Sequence, residues 1–193
     1  MNRETWLENG VIAMRPWFDE KGHPLPEKIL VSCGWPKARG GKARSVGQCF
    51  DPRWTVDGTA HIFICPTISE PTRVLDILLH ELCHAAVGTT VGHNGPFVHL
   101  IREFGLLGKA TATYCGPSTP LHEALLAIAE QLGDYPHSAM KTGRIAATRP
   151  PGGGWIKFQS VSLGSSYILR VSPKSLADHG APRDPLGQVM VES

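Results

Sequence analysis

Residues 71–97 read PTRVLDILLHELCHAAVGTTVGHNGPF, and this stretch sets the architecture of the chain. Proline at its first position, apolar residues at helical spacing and Gly88 after the last of them predict a helix over about 71–87. The apolar residues form one stripe, which we expect to pack against a sheet. They are Leu75, Leu78, Leu79, Leu82 and Ala86. Because residues on a helix advance by about 100° each, His80 and His84 lie together on a different side, about one turn apart.

The segment His80-Glu81-Leu82-Cys83-His84 matches the HExxH pattern of zinc peptidases. Two imidazoles one turn apart can bind the same Zn²⁺. Glu81 lies to one side of the two histidines, where its carboxylate can accept a proton from a water molecule that attacks a carbonyl group. The pattern therefore predicts His80 and His84 as metal ligands and Glu81 as the general base.

A catalytic tetrahedral zinc site needs a third protein ligand, and His93 is the best candidate. The helix should end at Gly88, and Gly92 permits a sharp return of the chain, with Asn94 as a plausible N-cap of the next helix. His61 and His99 are weaker candidates for the third ligand.

The remaining pattern predicts an α+β fold with a small antiparallel sheet. Helices are expected at 5–18, 96–104 and 120–132, and strands at 28–33, 45–50 and 61–65. A change of composition places a boundary after His137, which gives a catalytic domain over 1–137 and a basic β-unit over 138–193. Two further strands are expected in the second part, at 155–161 and 167–171.

Composition places the chain among soluble globular proteins, since 41% of its 193 residues are hydrophobic and 19% are charged. Five widely spaced cysteines without a CxxC pair argue against a disulfide framework and a cysteine zinc site. Residues 138–193 contain 7 Lys or Arg and 3 Asp or Glu, so this tail is basic. With no apolar run long enough to cross a bilayer, we expect a cytoplasmic protein, associated with the nucleoid or present in a phage-infected cell.

Beyond the HExxH segment, Gly92-His93-Asn94-Gly95-Pro96-Phe97 and Gly108-Lys109-Ala110-Thr111-Ala112-Thr113 carry a resemblance. Together they resemble the SprT-like zinc metallopeptidases of phages and bacteria, to which the eukaryotic Spartan protease that degrades DNA–protein crosslinks is related. The resemblance covers about 1–137 and implies a minimal zincin-like domain, with His80, His84 and His93 as zinc ligands and Glu81 as the catalytic acid and base. In the family the third histidine is usually followed at once by glycine, whereas Asn94 intervenes here.

The tail resembles the carboxy-terminal zinc ribbon of these relatives after loss of its ligands. Ser162-Leu163-Gly164-Ser165 and Asp184-Pro185-Leu186 stand where cysteine pairs are expected. We therefore predict one zinc ion per chain.

Two further surfaces are expected to bind partners. Trp35 with four nearby cations forms a candidate nucleic-acid patch, suited to single-stranded or other DNA. The cations are Lys37, Arg39, Lys42 and Arg44. The strand at 61–65 is expected to be an exposed edge that binds an extended protein or peptide substrate, and Tyr114 and His137 are candidate oxyanion donors.

These features favour a zinc-dependent endopeptidase that cleaves DNA-associated proteins with low sequence specificity. Two alternatives stay open. One is a metal-dependent nuclease, which would not need a glutamate directly after the first ligand. The other is a non-catalytic adaptor that binds nucleic acid and is stabilised by zinc, which would favour four protein ligands rather than three.

Overall fold

The structure is a computed structural model that describes residues 1–36, 45–141 and 154–193. Contacts divide the chain into two compact units, Met1–Thr142 and Gly143–Ser193. The boundary predicted from composition, after His137, lies slightly earlier in the chain. In the described ranges, no helix has both the length and the apolar character that a membrane span requires.

The first unit has an α+β fold, as predicted. Its helices are α1 (Arg3–Glu20), α2 (Pro71–Val87), α3 (Gly95–Glu103) and α4 (Pro120–Leu132). Its strands are β1 (Ile29–Cys33), β2 (Gly47–Phe50), β3 (Ala60–Ile64), β4 (Leu107–Lys109) and β5 (Ala112–Tyr114). The short strands β4 and β5 form a separate antiparallel pair.

The main sheet has the order β1-β3-β2, and its topology corrects two predictions. β1 runs parallel to β3, whereas β2 runs antiparallel to it, so the sheet is mixed rather than antiparallel. β3 is the central strand, and the prediction that residues 61–65 form an exposed edge is wrong. Side chains alternate with the same period of two in parallel and antiparallel strands. The sequence pattern of a strand therefore reveals neither its direction in the sheet nor its position at the centre or the edge.

Helix α2 has the predicted bounds and packs its apolar stripe into the core of this unit. The Glu70 carboxylate accepts hydrogen bonds from the backbone N–H groups of Thr72 and Arg73, Pro71 occupies the first position, and Gly88 ends the helix with φ 85°. The leucines of the predicted stripe are fully buried. Helix α1 supplies further buried side chains, among them Trp6, which donates a hydrogen bond from Nε1 to the Gly133 carbonyl at 2.9 Å.

The second unit contains β6 (Ile156–Gln159), β7 (Ile168–Val171), α5 (Pro173–His179) and β8 (Val191–Glu192). Its antiparallel sheet has the order β7-β6-β8, and its small core consists of Phe158, Val171 and Met190. Asp184 links two distant segments, because its Oδ2 accepts hydrogen bonds from the hydroxyls of Ser160 at 2.6 Å and Ser162 at 2.5 Å. Ser162 and Asp184, which stand where the cysteine pairs of a zinc ribbon were expected, are therefore joined by a hydrogen bond.

Candidate metal centre

Helix α2 and the turn that follows it bring the three predicted histidines together. One ring nitrogen each from His80, His84 and His93 lies within 4.8 Å of the others. Nε2 of His84 and Nε2 of His93 are 3.2 Å apart. Two nitrogen ligands on one tetrahedral zinc, each at 2.0–2.1 Å, lie about 3.3 Å apart, so this separation suits a shared metal ion.

Among the residues that the structure describes, no fourth histidine, cysteine or carboxylate joins this group. His61 and His99, the weaker candidates, are not part of it. His99 instead faces Glu103 on the surface of α3, with Nε2 3.4 Å from the carboxylate. Three side chains leave one position of a tetrahedral ion for water or substrate, as in catalytic zinc sites.

The environment keeps the three imidazoles neutral, which metal binding requires. Burial, and then repulsion from a protonated His93 ring and from Arg73, lowers the pKa of His80 to about 4. Burial, and then the other two histidines, lowers the pKa of His84 to about 3. Burial also lowers the pKa of His93. At neutral pH each ring therefore has a nitrogen lone pair available.

Phe97 and Thr113 hold two of the rings in place. The buried Phe97 ring is stacked on His84, with centroids 3.9 Å apart and an angle of 14° between the planes. Nδ1 of His80 lies 2.7 Å from the hydroxyl oxygen of Thr113 in β5. If Nδ1–H donates to this oxygen, Nε2 of His80 carries the lone pair that a metal ion needs, so Thr113 would select the ligating tautomer.

Glu81 lies at the edge of the main sheet, against β2. The residue is 5% exposed, and burial raises the pKa of its carboxyl group to about 8, although a hydrogen bond from the Cys49 backbone N–H opposes this shift. Gly47 of β2 packs closely against this carboxylate, because a Cβ atom added to Gly47 would lie only 2.5 Å from Glu81 Oε1. The structure thus places the side chain of the predicted general base, which belongs to α2, against the backbone of β2.

The other predicted site residues do not join this cluster. The Trp35 side chain is 51% exposed, which leaves its predicted role in nucleic-acid binding untested. His137 has partners at both ring nitrogens, Arg3 Nη1 at 3.3 Å and the Pro66 carbonyl at 2.8 Å, so it does not serve as an oxyanion donor in this arrangement. The four cations of the predicted patch lie outside the described residues: Lys37, Arg39, Lys42 and Arg44.

Sequence reasoning missed the contributions of Thr113, Gly47 and Cys49. Thr113 lies in a segment that carried the family resemblance, so the resemblance marked the segment without indicating a contact with His80. Cys49 acts through its backbone N–H, and a backbone contact leaves no mark on residue type. A glycine in a predicted strand is itself a signal of close approach, and this signal at Gly47 could have been used.

Comparison with known proteins adds no assignment, because the chain matches no protein-family model, no curated protein and no solved structure.

Proposed function

We propose that the chain is a zinc-dependent endopeptidase of the SprT-like type, with a zincin-like first unit, that cleaves DNA-associated proteins with little sequence preference. The observation that carries the proposal is the cluster of three imidazoles, two of which lie on the same helix as Glu81, the residue that directly follows His80. His80, His84 and His93 are neutral nitrogen donors at a spacing that suits tetrahedral zinc. Bound zinc would supply Lewis-acid chemistry, which polarises a carbonyl group and acidifies water.

Glu81 is the residue of this chain that moves the proton. Its carboxylate takes a proton from the water molecule that attacks the scissile carbonyl carbon. It then donates that proton to the nitrogen of the leaving amine as the C–N bond breaks. Burial favours the protonated form of Glu81 when no metal is bound, as its raised pKa indicates, so the base step needs a nearby positive charge; a bound zinc ion would supply one and favour the carboxylate.

The substrate would bind along β2 rather than along β3, because β2 is the strand that contacts Glu81. In the described part of the chain, β2 pairs with β3 on one side and with no strand on the other. An extended peptide that lies along β2 would bind through main-chain hydrogen bonds. Such binding depends little on side chains, which accounts for the low sequence preference in the proposal.

Charge on the second unit supports binding to nucleic acid. Lys157 and Arg170 are directly opposite in the β6–β7 pair, both are exposed, and neither has an ion-pair partner among the described residues. Like charges at opposed positions destabilise a sheet, and a phosphate backbone would relieve that repulsion. The patch at Trp35 stays a separate prediction for the same partner.

Glu81→Gln tests the enzymatic part of the proposal. The zinc-loaded wild-type chain should degrade casein and a DNA-binding protein, whereas the variant should bind the same amount of zinc and cleave neither. Glu123→Gln is the matched control, because His122-Glu123 begins the same motif on α4 and Glu123 is exposed. A nuclease would cleave nucleic acid, and an adaptor would cleave nothing. Equal proteolysis by wild type and Glu81→Gln would refute the proposed role of Glu81.

The nucleic-acid part is tested by fluorescence anisotropy with single-stranded DNA at low salt. The double variant Lys157→Gln/Arg170→Gln should bind more weakly and with a shallower dependence on salt concentration. Lys174→Gln, which removes an exposed cation from α5, is the control. Identical binding by the double variant and the wild type would exclude this face as the DNA contact.

A further inference from the structure

Asp51 directly follows β2 and is almost completely buried, with 2% of its side chain exposed. A buried carboxylate requires several hydrogen bonds to compensate for its lost hydration. Both oxygens of Asp51 have them. Oδ1 accepts from the backbone N–H and Nε of Arg53, each at 3.0 Å, and Oδ2 accepts from Arg53 Nη2 at 2.6 Å.

The remaining donors to Asp51 come from the turn that follows helix α2. The backbone N–H of Thr89 donates to Oδ2 at 2.7 Å, and the Thr89 hydroxyl donates to the same oxygen at 2.6 Å. Arg53 and Thr89, together with the burial that opposes them, leave the pKa of Asp51 well below its usual range. The carboxylate is therefore ionised at neutral pH and joins the end of β2 to the start of this turn.

Arg53 extends the same link to the residues on either side of Thr89. Its Nη2 lies 3.3 Å from Oγ1 of Thr90 and would lie 2.8 Å from a Cβ atom placed on Gly88. Thr89 and Thr90 are thus hydrogen-bonded to one ion pair, which also lies close to Gly88. The chain then passes through Gly92, with φ 56°, and reaches His93 four residues after Thr89.

His93 has few contacts of its own that could fix its position. It is partly exposed, and its hydrogen-bond and ring partners in the described chain are the other two histidines and Phe97. In contrast, His80 has a hydrogen bond to Thr113, and His84 is stacked on Phe97. The position of the third imidazole therefore depends on the turn that carries it.

We infer that Asp51 is a positioning residue, which holds the turn over residues 88–90 and thereby places His93 over the other two imidazoles. Asp51 also directly follows β2, whose Cys49 N–H contacts Glu81. Its hydrogen bonds to Thr89 therefore fix the position of β2 relative to the turn that carries His93. This inference rests on the proposed function, since it concerns the third ligand of the same metal site.

The test is the zinc affinity of Asp51→Asn, measured by competition with a chromophoric chelator. Loss of an outer residue that orients a ligand typically weakens metal binding by about 10–100-fold, and we expect a decrease in that range. The visible spectrum of the Co²⁺-loaded variant should also change in intensity, because it reports the coordination geometry. Circular dichroism of the metal-free variant shows whether the fold is retained.

A double-mutant cycle separates positioning from a general loss of stability. If Asp51 acts through His93, Asp51→Asn should weaken zinc binding in the wild type and have no further effect in His93→Ala. Asp57→Asn is the matched control, because Asp57 also accepts hydrogen bonds from a nearby threonine, Thr59, but its bonds do not reach the metal-ligand turn. This control should bind zinc like the wild type.

A second pair of variants keeps the test decisive if Asp51→Asn does not fold. Thr89→Val removes one donor to Asp51 and should weaken zinc binding, whereas Thr89→Ser retains the hydroxyl and should restore it. Unchanged zinc affinity in Thr89→Val and Asp51→Asn, or full additivity with His93→Ala, would overturn the positioning role alone. A wild-type chain that binds no zinc would overturn the metal site and, with it, the proposed function.

Discussion

Replacement of Gly47 by alanine should separate the position of the general base from metal binding. The backbone of Gly47 does not have a positive φ, so alanine is permitted there by conformation. Its Cβ atom, however, would lie 2.5 Å from Glu81 Oε1 and 2.8 Å from Ile77 Cγ2. Contacts this short cannot persist, so either β2 or the Glu81 side chain must move.

Two consequences of this movement can be measured. Overpacking of a well-packed site costs about 1–3 kcal/mol, which corresponds to a decrease in Tm of roughly 2–4 °C per kcal/mol for a chain of this size. Displacement of a catalytic group by about 1 Å can lower the rate by about 100-fold. We therefore expect a lower Tm and a decrease of that order in kcat/KM for Gly47→Ala.

Zinc affinity should remain that of the wild type, because the atoms nearest to a Cβ atom at Gly47 belong to Glu81 and Ile77 and not to an imidazole. Thermal unfolding, a peptide-cleavage assay and a chelator competition measure the three quantities on one preparation. Gly154→Ala is the control, since no atom lies within 4 Å of a Cβ atom at that position. Wild-type Tm and turnover in Gly47→Ala would refute the steric reasoning, and a parallel loss of zinc would show that the strand supports the metal site instead.

Two other perturbations test separate parts of the structure. Thr113→Val removes the hydroxyl that faces His80 Nδ1 and should weaken zinc binding by about 10–100-fold. Thr113→Ser retains the hydroxyl and should retain the wild-type affinity. Equal zinc affinities for the wild type and both variants would show that Thr113 does not orient His80 for metal binding. In the second unit, hydrogen bonds from the hydroxyls of Ser160 and Ser162 lower the pKa of Asp184 to about 2. Because an unfolded aspartate titrates near 3.9, the stability that this carboxylate contributes is present above about pH 4 and is lost as the pH falls towards 2. Asp184→Asn should remove that part of the acid dependence, as measured by unfolding of the full chain from pH 5 to pH 2, and an unchanged acid profile would contradict the assigned pKa.

Local signals predicted helix α2 well because proline, glycine and the apolar period all lie within the segment itself. The proximity of His93 to the other two histidines was also predictable, since a chain that turns at Gly88 and Gly92 cannot travel far from α2 before His93. Helix α5 could have been predicted in the same way. Ser172 caps it, Pro173 begins it and Gly180 follows it, which is a pattern typical of a short helix.

The order and direction of the strands could not be predicted, because they depend on contacts between distant segments. Short runs rich in Ile, Val and Phe identified all three strands of the main sheet and left open which of them lies in the centre. Asp51 followed by proline indicates a turn, and nothing in that pattern reveals that its carboxylate also binds Thr89. The residues that orient the site therefore required the structure, whereas the candidate ligands did not.

The most direct test of the metal centre is the zinc content of the purified chain, together with X-ray absorption at the zinc edge. We expect one zinc per chain, with three nitrogen ligands and one oxygen ligand, and loss of stoichiometric zinc in His93→Ala. A folded chain without stoichiometric zinc, or a zinc ion enclosed by four protein ligands, would contradict a catalytic site built from His80, His84 and His93.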